Sequence, residues 1–546
     1  MQVKQYRFKE RCLPMLLIGA VLTALTLVFP QFGILEWLTM IPLCAGVYRL
    51  CEDGSCTLKR AYGCGFLTVY VFYFVIYHWF VHLYPLDFVG MSNSASAVVI
   101  AAGWLGLPIL QAVVGGFVFL LLRILHRTGI FLRAPLLKPF ALAALWVIFE
   151  WSATLTWAGV PWGRLCLGQV EMLPILQSAS LFGSYFVSFL LVAVNGLFAY
   201  TILYGTKEKL CGIMAAILFG SNLLYGCAAM LISRDPEEPL RVAVIQGNMD
   251  SHDKWSGDAY YITTEIYGDL TRQAAAGGAS LVVWPETAIP YDLGYEGYRR
   301  DFICDLAKEC GVALVVGAFR YDDEGNYYNA LFYVDPDGNF HEDFYAKRHL
   351  VPFGEYVPMR DVIMTLIPPL AELSALDNDV TAGEGTMLFD AEWGKIGSLI
   401  CFDSIYESLT RDSVRDGAEL MVISSNDSWF YDSAAVYQHK SQGQLRAIES
   451  GRYVVRAANT GISTVVSPTG EILSWIDPLT KGYAVAEVEM RSQNTLYTVI
   501  GNLFVYLCIA FVAFLWLIGK VMGKPRPRAV TMRSYYGNVS GKEKTI

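Results

Sequence analysis

Long apolar runs separated by short polar loops dominate the first part of the chain. They cover residues 13–29, 32–47, 61–83, 95–124, 136–155, 173–204 and 210–232, and one further run covers residues 496–518. About twenty apolar residues are enough for a helix to cross the hydrocarbon core of a bilayer. The pattern therefore predicts eight membrane-spanning helices, with a long polar region between the seventh and the eighth.

The charges in the loops predict how these helices are oriented. Lys and Arg are concentrated in every second loop, at residues 49–60, 123–138 and 207–209, and again in the tail after residue 519. Cytoplasmic loops of membrane proteins are enriched in Lys and Arg. We therefore expect both termini in the cytoplasm and residues 233–494 on the outer face of a bacterial cell membrane.

The region outside the membrane has a different pattern. Short β-rich runs at residues 241–246, 281–284, 312–319, 330–334, 396–400, 420–424 and 453–457 alternate with helical patterns at residues 260–275, 298–310 and 434–449. Such alternation predicts an α/β layered domain. The expected domains are a transmembrane domain at 1–235, a catalytic domain at 236–494, a single span at 495–520 and a basic tail at 521–546.

Composition agrees with this division. The 546 residues are 54% hydrophobic and only 17% charged, and the mean hydropathy is +0.39, which is typical of a membrane protein. The net charge of −9 argues against nucleic-acid binding. The twelve cysteines lack the spacing of a zinc site, so neither a metal nor another cofactor is predicted.

One cysteine stands out by its position. Cys401 follows the apolar run 396–400, and a helical pattern with Ser404 as a plausible N-cap begins just after it. A thiol near a helix N-terminus commonly has a lowered pKa and is a better nucleophile. Cys401 is therefore a candidate nucleophile, although most cysteines are simply small buried residues.

Two other strand ends carry groups that could act with this thiol. Glu286 follows the run 281–284, and Lys347 follows the aromatic pair at 344–345. Lys347 would stabilise a thiolate or an oxyanion by its charge, and Glu286 would act as general base and acid. Taken singly, either residue is as well explained by a surface salt bridge.

Taken together, the motifs resemble those of a known family. Trp284-Pro-Glu-Thr, Lys347-Arg-His-Leu-Val-Pro-Phe-Gly-Glu and Leu399-Ile-Cys-Phe-Asp are similar to the Glu-Lys-Cys motifs of the nitrilase superfamily. The arrangement of spans around an outer domain resembles its membrane-embedded branch, the apolipoprotein N-acyltransferases. Pro161-Trp-Gly and Ser425-Asn-Asp-Ser-Trp-Phe extend the resemblance over nearly the whole chain.

The resemblance implies a four-layer αββα domain and a ping-pong reaction. The Cys401 thiolate would take an acyl chain from a phospholipid, and the thioester would then acylate the α-amino group of a diacylglyceryl-cysteine at an apolipoprotein N-terminus. The implied partners are membrane phospholipid and apolipoprotein, and we expect a monomer that needs no cofactor.

Further residues are assigned through the same resemblance. Glu355 would support the site, Trp255 would lie on a mobile arm, and the acyl pocket would be lined by Asn426, Trp429 and Phe430. Phe402 and Asp403 stand where the family usually has Tyr and Glu. These two supporting residues leave the triad intact, and they could alter the choice of donor or acceptor.

Two other functions remain open from the sequence. One is a membrane-anchored amidase of the same superfamily, in which water replaces the amine. The other is a transporter or scaffold with an inactive domain. The presence of Glu286, Lys347 and Cys401 argues against the second alternative, and a dependence on phospholipid would argue against the first.

Overall fold

A computed structural model describes residues 8–86, 91–205, 209–232, 236–249, 254, 259–366 and 379–522. The first half of the chain is helical. Its helices are α1 Phe8–Val28, α2 Glu36–Thr39, α3 Ile41–Glu52, α4 Leu58–Ile76, α5 Asn93–Arg127, α6 Ile130–Arg133, α7 Leu137–Ser152, α8 Leu173–Leu176, α9 Ala179–Phe182, α10 Ser184–Tyr204 and α11 Lys209–Ile232.

Six helical segments within the described residues are long and apolar enough to cross a membrane. They are Pro30–Glu52, Leu58–Leu83, Asn93–Arg127, Ser184–Tyr204, Lys209–Ile232 and Leu503–Met522. The predicted spans at 13–29 and 136–155 correspond to α1 and α7, whose apolar parts are shorter. A polytopic helical domain is thus present, and the count of eight spans stays a prediction.

The second predicted span is not one continuous helix. A 3₁₀ helix occupies Pro30–Leu35, and α2 and α3 follow it. A Cβ at Gly33 would lie 1.8 Å from the carbonyl oxygen of Gly168, so the two backbones touch there. The side-chain amide of Gln169 donates to the Gly33 carbonyl at 2.7 Å and to the Glu36 carboxylate at 2.6 Å. This side chain supplies the hydrogen bonding that a broken helix needs inside a membrane.

The outer half contains two six-stranded sheets. The first has the order β12-β1-β2-β3-β4-β5 and the second the order β11-β10-β9-β8-β7-β6. The strands are β1 Leu240–Gln246, β2 Leu281–Val283, β3 Ala313–Tyr321, β4 Tyr327–Val334, β5 Phe340–Ala346, β6 Leu388–Ala391, β7 Gly394–Ile400, β8 Leu420–Ser425, β9 Val454–Ala458, β10 Ser463–Val466, β11 Ile472–Ile476 and β12 Gly482–Val488.

Five helices complete the outer half, and two more follow it. They are α12 Ala259–Ala276, α13 Tyr298–Cys310, α14 Arg360–Leu366, α15 Glu407–Arg415 and α16 Ala434–Ser450, and then α17 Leu496–Ile500 and α18 Leu503–Met522. Gly501, at a φ of 58°, divides the predicted span 496–518 between α17 and α18. Helix α18 packs beside α7, so the chain returns to the helical half.

The burial pattern explains the four layers. In β1, Val242 and Val244 face the second sheet and pack in one core with residues such as Val422. Ala243 and Ile245 point the other way, into a second core under α12 and α13. Side chains alternate between the faces of a strand, so a strand buried on both faces reads as a continuous apolar run. Helices α15 and α16 cover the other sheet, which confirms the αββα prediction.

The two halves are joined by buried polar contacts. Arg164, in the loop after α7, pairs with Glu407 of α15 at 2.5 Å, and both side chains are buried. The amide of Ser184 donates to Glu449 at 2.9 Å, and the Trp162 indole donates to Gln438 at 2.6 Å. Residues 438–450 of α16 are all buried, so this helix is shared between the halves.

Candidate active site

The three predicted strand ends lie at one edge of the sandwich. Strands β1, β2 and β3 are parallel, as are β7, β8 and β9. Strand β5 pairs antiparallel with β4, which pairs antiparallel with β3, so β5 runs in the same direction as β3. The residues that follow β2 and β5 are thereby brought together, and the Lys347 ammonium lies 3.0 Å from a Glu286 oxygen.

Lys347 is held by two carboxylates. Its Nζ donates to Glu286 Oε1 at 3.0 Å and to Glu355 Oε1 at 2.9 Å, and the side chain is only 2% exposed. The Asn329 amide donates to the same two oxygens at 2.7 and 3.1 Å. Burial opposes the charge on Lys347, but Glu286 and Glu355 raise its pKa well above the usual value. The ammonium therefore stays charged in a nearly water-free site.

Cys401 begins a tight turn. It has a φ of 50° and starts a 3₁₀ helix that extends to Ile405. A left-handed conformation is costly for a residue with a Cβ and often occurs at functional sites. The prediction of Ser404 as a helix N-cap is wrong, because its hydroxyl donates to the Cys401 carbonyl at 2.7 Å and α15 begins at Glu407.

The thiol of Cys401 is not activated by its position alone. Burial and the nearby Glu286 carboxylate raise its pKa above the usual value, and Lys347 acts in the opposite direction. The sequence-based expectation of a lowered pKa is therefore wrong for the resting protein. The thiol is protonated at neutral pH, so it needs a base to become a nucleophile.

Asp403 connects the turn of Cys401 to the loop that carries Lys347. Its buried carboxylate accepts from the Tyr345 hydroxyl at 2.9 Å, the His349 amide at 2.7 Å and the Ile400 amide at 3.2 Å. Burial raises the pKa of this carboxyl to about 6, although these hydrogen bonds and Lys347 oppose the rise. The aspartate thus fixes both sides of the site, whereas the neighbouring Phe402 packs edge-on against Tyr406.

Comparison with known proteins identifies the two halves separately. Residues 19–197 match the apolipoprotein N-acyltransferase N-terminal domain, and residues 241–495 match the carbon-nitrogen hydrolase family. The chain is 32% identical to an apolipoprotein N-acyltransferase of Geobacter metallireducens, with 91% of this chain and 93% of the relative covered. The one from Gloeobacter violaceus is 33% identical, with 92% of each covered.

The chain belongs to the apolipoprotein N-acyltransferase family. Solved structures are also similar to part of the chain. Nit3 of Saccharomyces cerevisiae has a TM-score of 0.38 at 20% identity, covering 47% of this chain and 92% of that chain. An amidase from Nesterenkonia sp. has a TM-score of 0.35 at 19% identity, covering 48% and 94%.

Of the residues predicted to line the acyl pocket, Phe430 contacts the helical half. The Phe430 ring contacts Trp79 and Trp162 of the helical half, with centroids 5.1 and 6.2 Å apart. Trp429 is partly buried in the same short 3₁₀ helix. Asn426 is buried and accepts from Asn459 at 3.2 Å. Its place in the acyl pocket stays a prediction.

The predicted mobile arm is only partly described. Trp255 lies outside the described residues. Its neighbour Lys254, which sequence reasoning missed, is buried and donates to the Glu286 carbonyl at 3.1 Å and to the Thr287 hydroxyl. Burial lowers the pKa of Lys254 to about 8, against the pull of Glu286 and Cys401. A second amine therefore lies at this active site.

A second group of missed residues lies behind Cys401. His439 of α16 bonds to Asp427 through Nδ1 at 2.8 Å, and Arg456 donates to the other oxygen of Asp427 at 2.8 Å. One donor atom each from Cys401, Asp427 and His439 lies within 4.8 Å of the others. A metal would have to break the Asp427–His439 bond and lie near the Arg456 cation, so this set fits a hydrogen-bonded network better than an ion.

Proposed function

We propose that this protein transfers an acyl chain from a phospholipid to the α-amino group of the diacylglyceryl-cysteine at the N-terminus of an apolipoprotein. The family membership supports the overall reaction. The observation that supports the residue assignment is the buried contact of Lys347 with Glu286 at the strand ends beside Cys401. In this proposal Cys401 is the nucleophile, Glu286 the general base and acid, and Lys347 the electrostatic stabiliser.

The first half-reaction forms a thioester. Glu286 accepts the thiol proton of Cys401, and the sulfur forms a bond to the carbonyl carbon of the phospholipid ester. The carbonyl oxygen becomes an oxyanion, whose charge Lys347 stabilises. The carbon–oxygen bond to the glycerol then breaks, Glu286 returns the proton to the leaving oxygen, and lysophospholipid departs.

The second half-reaction uses the same groups in the same order. The α-amino nitrogen of the acceptor attacks the thioester carbonyl, and Glu286 takes the proton that this nitrogen loses. The carbon–sulfur bond breaks, and the proton returns to the sulfur of Cys401. Glu355 accepts from Lys347 and from the Val351 amide at 2.9 Å, so it holds the ammonium in place through both steps.

The aromatic contacts between the halves support a lipid substrate. Phe430 of the outer half and Trp79 and Trp162 of the helical half form one aromatic wall, and Trp162 also packs against His439, which lies 3.1 Å from the Cys401 carbonyl. Such a wall offers apolar surface to an acyl chain that enters from the membrane. A soluble amide substrate would not need a site built from both halves, so acyl transfer is favoured over amide hydrolysis.

The location and assembly are part of the proposal. The alternation of basic loops supports a catalytic domain at 236–494 on the outer face of the cell membrane, between a transmembrane domain at 1–235 and a span at 495–520. Both termini, including the basic tail at 521–546, would then be cytoplasmic. Each chain contains a complete set of catalytic groups, so a monomer would suffice.

Mass spectrometry of lipoprotein N-termini tests this function. Cells depleted of the protein should accumulate diacylglyceryl lipoproteins with a free α-amino group, and re-expression should restore the third acyl chain. Re-expression of Cys401→Ala should not restore it. Complete N-acylation in the depleted cells, or with Cys401→Ala, would contradict the proposal.

A further inference from the structure

The contacts behind Cys401 form a chain that ends at its backbone. Arg456 donates to Asp427, Asp427 bonds to Nδ1 of His439, and Nε2 of His439 lies 3.1 Å from the Cys401 carbonyl oxygen. The hydroxyl of Ser404 donates to the same oxygen at 2.7 Å. The side chains of Asp427, His439 and Arg456 are no more than 1% exposed. None of these contacts has a part in the two half-reactions described above.

The hydrogen-bond partners determine where the protons of His439 lie. The Asp427 carboxylate accepts from Arg456 at 2.8 Å and from the Ser425 hydroxyl at 3.0 Å, and Nδ1 of His439 lies 2.8 Å from this carboxylate and 3.1 Å from the same Arg456 nitrogen. A carbonyl oxygen can only accept, so a bare Nε2 would place its lone pair against the carbonyl of Cys401. Nε2 also lies 3.1 Å from the Ser404 hydroxyl oxygen, and that hydroxyl already donates to the Cys401 carbonyl, so Nε2 fits these two oxygens as a donor.

Hydrogen bonds to the Cys401 carbonyl affect the direction of the thiol because the turn at Cys401 is strained. The left-handed conformation of this residue directs its side chain, and it persists only where the surroundings enforce it. Two donors on one carbonyl oxygen fix the peptide plane that follows Cys401 and thus the direction of the Cα–Cβ bond. A thiol that turns away by about 1 Å can lose about a hundredfold in rate.

We propose that His439, oriented by Asp427, is a positioning residue that holds the carbonyl of Cys401 and aims the thiol at the donor ester. The inference rests on the proposed function, in which Cys401 is the nucleophile. His439 is not assigned the role of a second base, because its Nε2 is directed at the carbonyl oxygen. This role adds three residues, Asp427, His439 and Arg456, to the machinery of the site.

Two substitutions of His439 distinguish a hydrogen bond to the Cys401 carbonyl from a role in packing. The amide nitrogen of His439→Gln lies where Nε2 lies, so this variant keeps a donor for the carbonyl of Cys401. The amide nitrogen of His439→Asn lies where Nδ1 lies, so this variant keeps the bond to Asp427 and loses the donor to the carbonyl. The two amides differ by one methylene, so loss of volume alone predicts only a small difference between the variants, and a role confined to the Asp427 bond would impair His439→Gln more.

The first readout is single-turnover formation of the Cys401 thioester from a labelled phospholipid by the full-length protein in micelles, over a range of donor concentrations. We expect His439→Gln to stay within about tenfold of the wild-type rate, and His439→Asn to lose about a hundredfold at saturating donor. The donor concentration at half-maximal rate should not change. Equal rates for the two variants would overturn the inference.

The second readout does not depend on acyl transfer. Hydrogen exchange of the amides at residues 401–405 should be faster in His439→Asn than in His439→Gln and the wild type, because only the first variant releases the turn. Unchanged exchange in His439→Asn would overturn the inference even in a protein that forms no thioester. Absence of a Cys401 thioester in the wild type would instead contradict the proposed function, so the two failures are distinguishable.

Discussion

The Arg164 guanidinium of the helical half lies 2.5 Å from the Glu407 carboxylate of the outer half, and neither side chain is more than 2% exposed. The Tyr185 hydroxyl donates to the other oxygen of Glu407 at 2.9 Å. Glu407 begins α15, the helix that follows the turn of Cys401. Cys401, the proposed nucleophile of the outer half, is therefore anchored through a few residues to the helical half.

Glu407→Gln should destabilise the protein strongly. The variant keeps the shape of the side chain and leaves Arg164 as a buried cation without its counter-charge. Removal of one partner of a buried ion pair typically costs about 3–5 kcal/mol. We expect a clearly lower midpoint of thermal unfolding in detergent micelles. Glu309→Gln is the matched control, because its pair with Arg272 is exposed and contributes little; an equal shift in both variants would contradict the anchoring role.

The same pair predicts a pH dependence. Burial opposes ionisation of Glu407, but Arg164 and Arg446 lower the pKa of its carboxyl to about 2, below the value of 4.5 for a free glutamate. A carboxyl whose pKa is lower in the folded state stabilises the fold above its unfolded pKa and loses this effect as pH falls. Stability from this group should therefore decline between about pH 4.5 and about pH 2, and Glu407→Gln should flatten that part of the profile.

Much of the fold follows from periodicity. The three predicted helices of the outer domain at 260–275, 298–310 and 434–449 are α12, α13 and α16, within one residue at each end. Apolar runs buried on both faces locate the central strands. Edge strands β6, β11 and β12 were missed because they are partly exposed, and the buried β10, which has only four residues, was missed as well. The break at Pro30–Leu35 depends on contacts with Gly168 and Gln169, which local sequence does not contain.

The site was predictable where a motif marks a strand end. Glu286, Lys347 and Cys401 each follow a β-rich run, and sheet topology brings such ends together. No motif at a strand end points to His439, because this residue lies in the middle of a helix among polar residues that are all buried. Only the packing of α16 between the outer sheet and the helical half makes that position internal. The thiol pKa was mispredicted for a similar reason, since burial of Cys401 by distant segments is invisible locally.

The role of Cys401 as nucleophile can be tested by comparison with two other cysteines of the same domain. Cys401→Ala should abolish the hydroxylamine-labile acyl adduct that the purified protein forms with labelled phospholipid, because this adduct is a thioester of the Cys401 sulfur. Cys304→Ala and Cys310→Ala, on α13, should leave the adduct unchanged. A labile adduct that persists in Cys401→Ala would show that another residue is acylated.

The orientation of the protein can be tested on intact cells. A protease or a membrane-impermeant thiol reagent, applied to spheroplasts if the host has an outer membrane, should reach the 236–494 domain. The protease should spare the tail at 521–546, which contains no cysteine for the thiol reagent, until the membrane is permeabilised, because basic segments stay in the cytoplasm. An epitope at the C-terminus reports cleavage of the tail. Loss of that epitope without permeabilisation would contradict the eight-span topology.

Lys347→Arg is the most discriminating change in the triad. The Lys347 side chain is 2% exposed, and its compact ammonium is shared between Glu286 and Glu355 at 3.0 and 2.9 Å. Arginine keeps the positive charge, but its planar guanidinium is larger and its donors are fixed in a fork. The space beside Lys347 is already occupied by the Asn329 amide, which bonds to the same oxygens. We therefore expect the arginine to displace the charge from the oxyanion.

Loss of one oxyanion stabiliser costs about 3–4 kcal/mol, a factor of about a hundred to a thousand in rate. Lys347→Arg should approach that loss, nearly as large as that of Lys347→Ala, in single-turnover thioester formation. Lys395→Arg, an exposed change on the strand that leads to Cys401, is the control and should have the wild-type rate. A Lys347→Arg rate within about fivefold of wild type, or about 1 kcal/mol, would remove Lys347 from the catalytic set and leave the thiol of Cys401 with Glu286 alone.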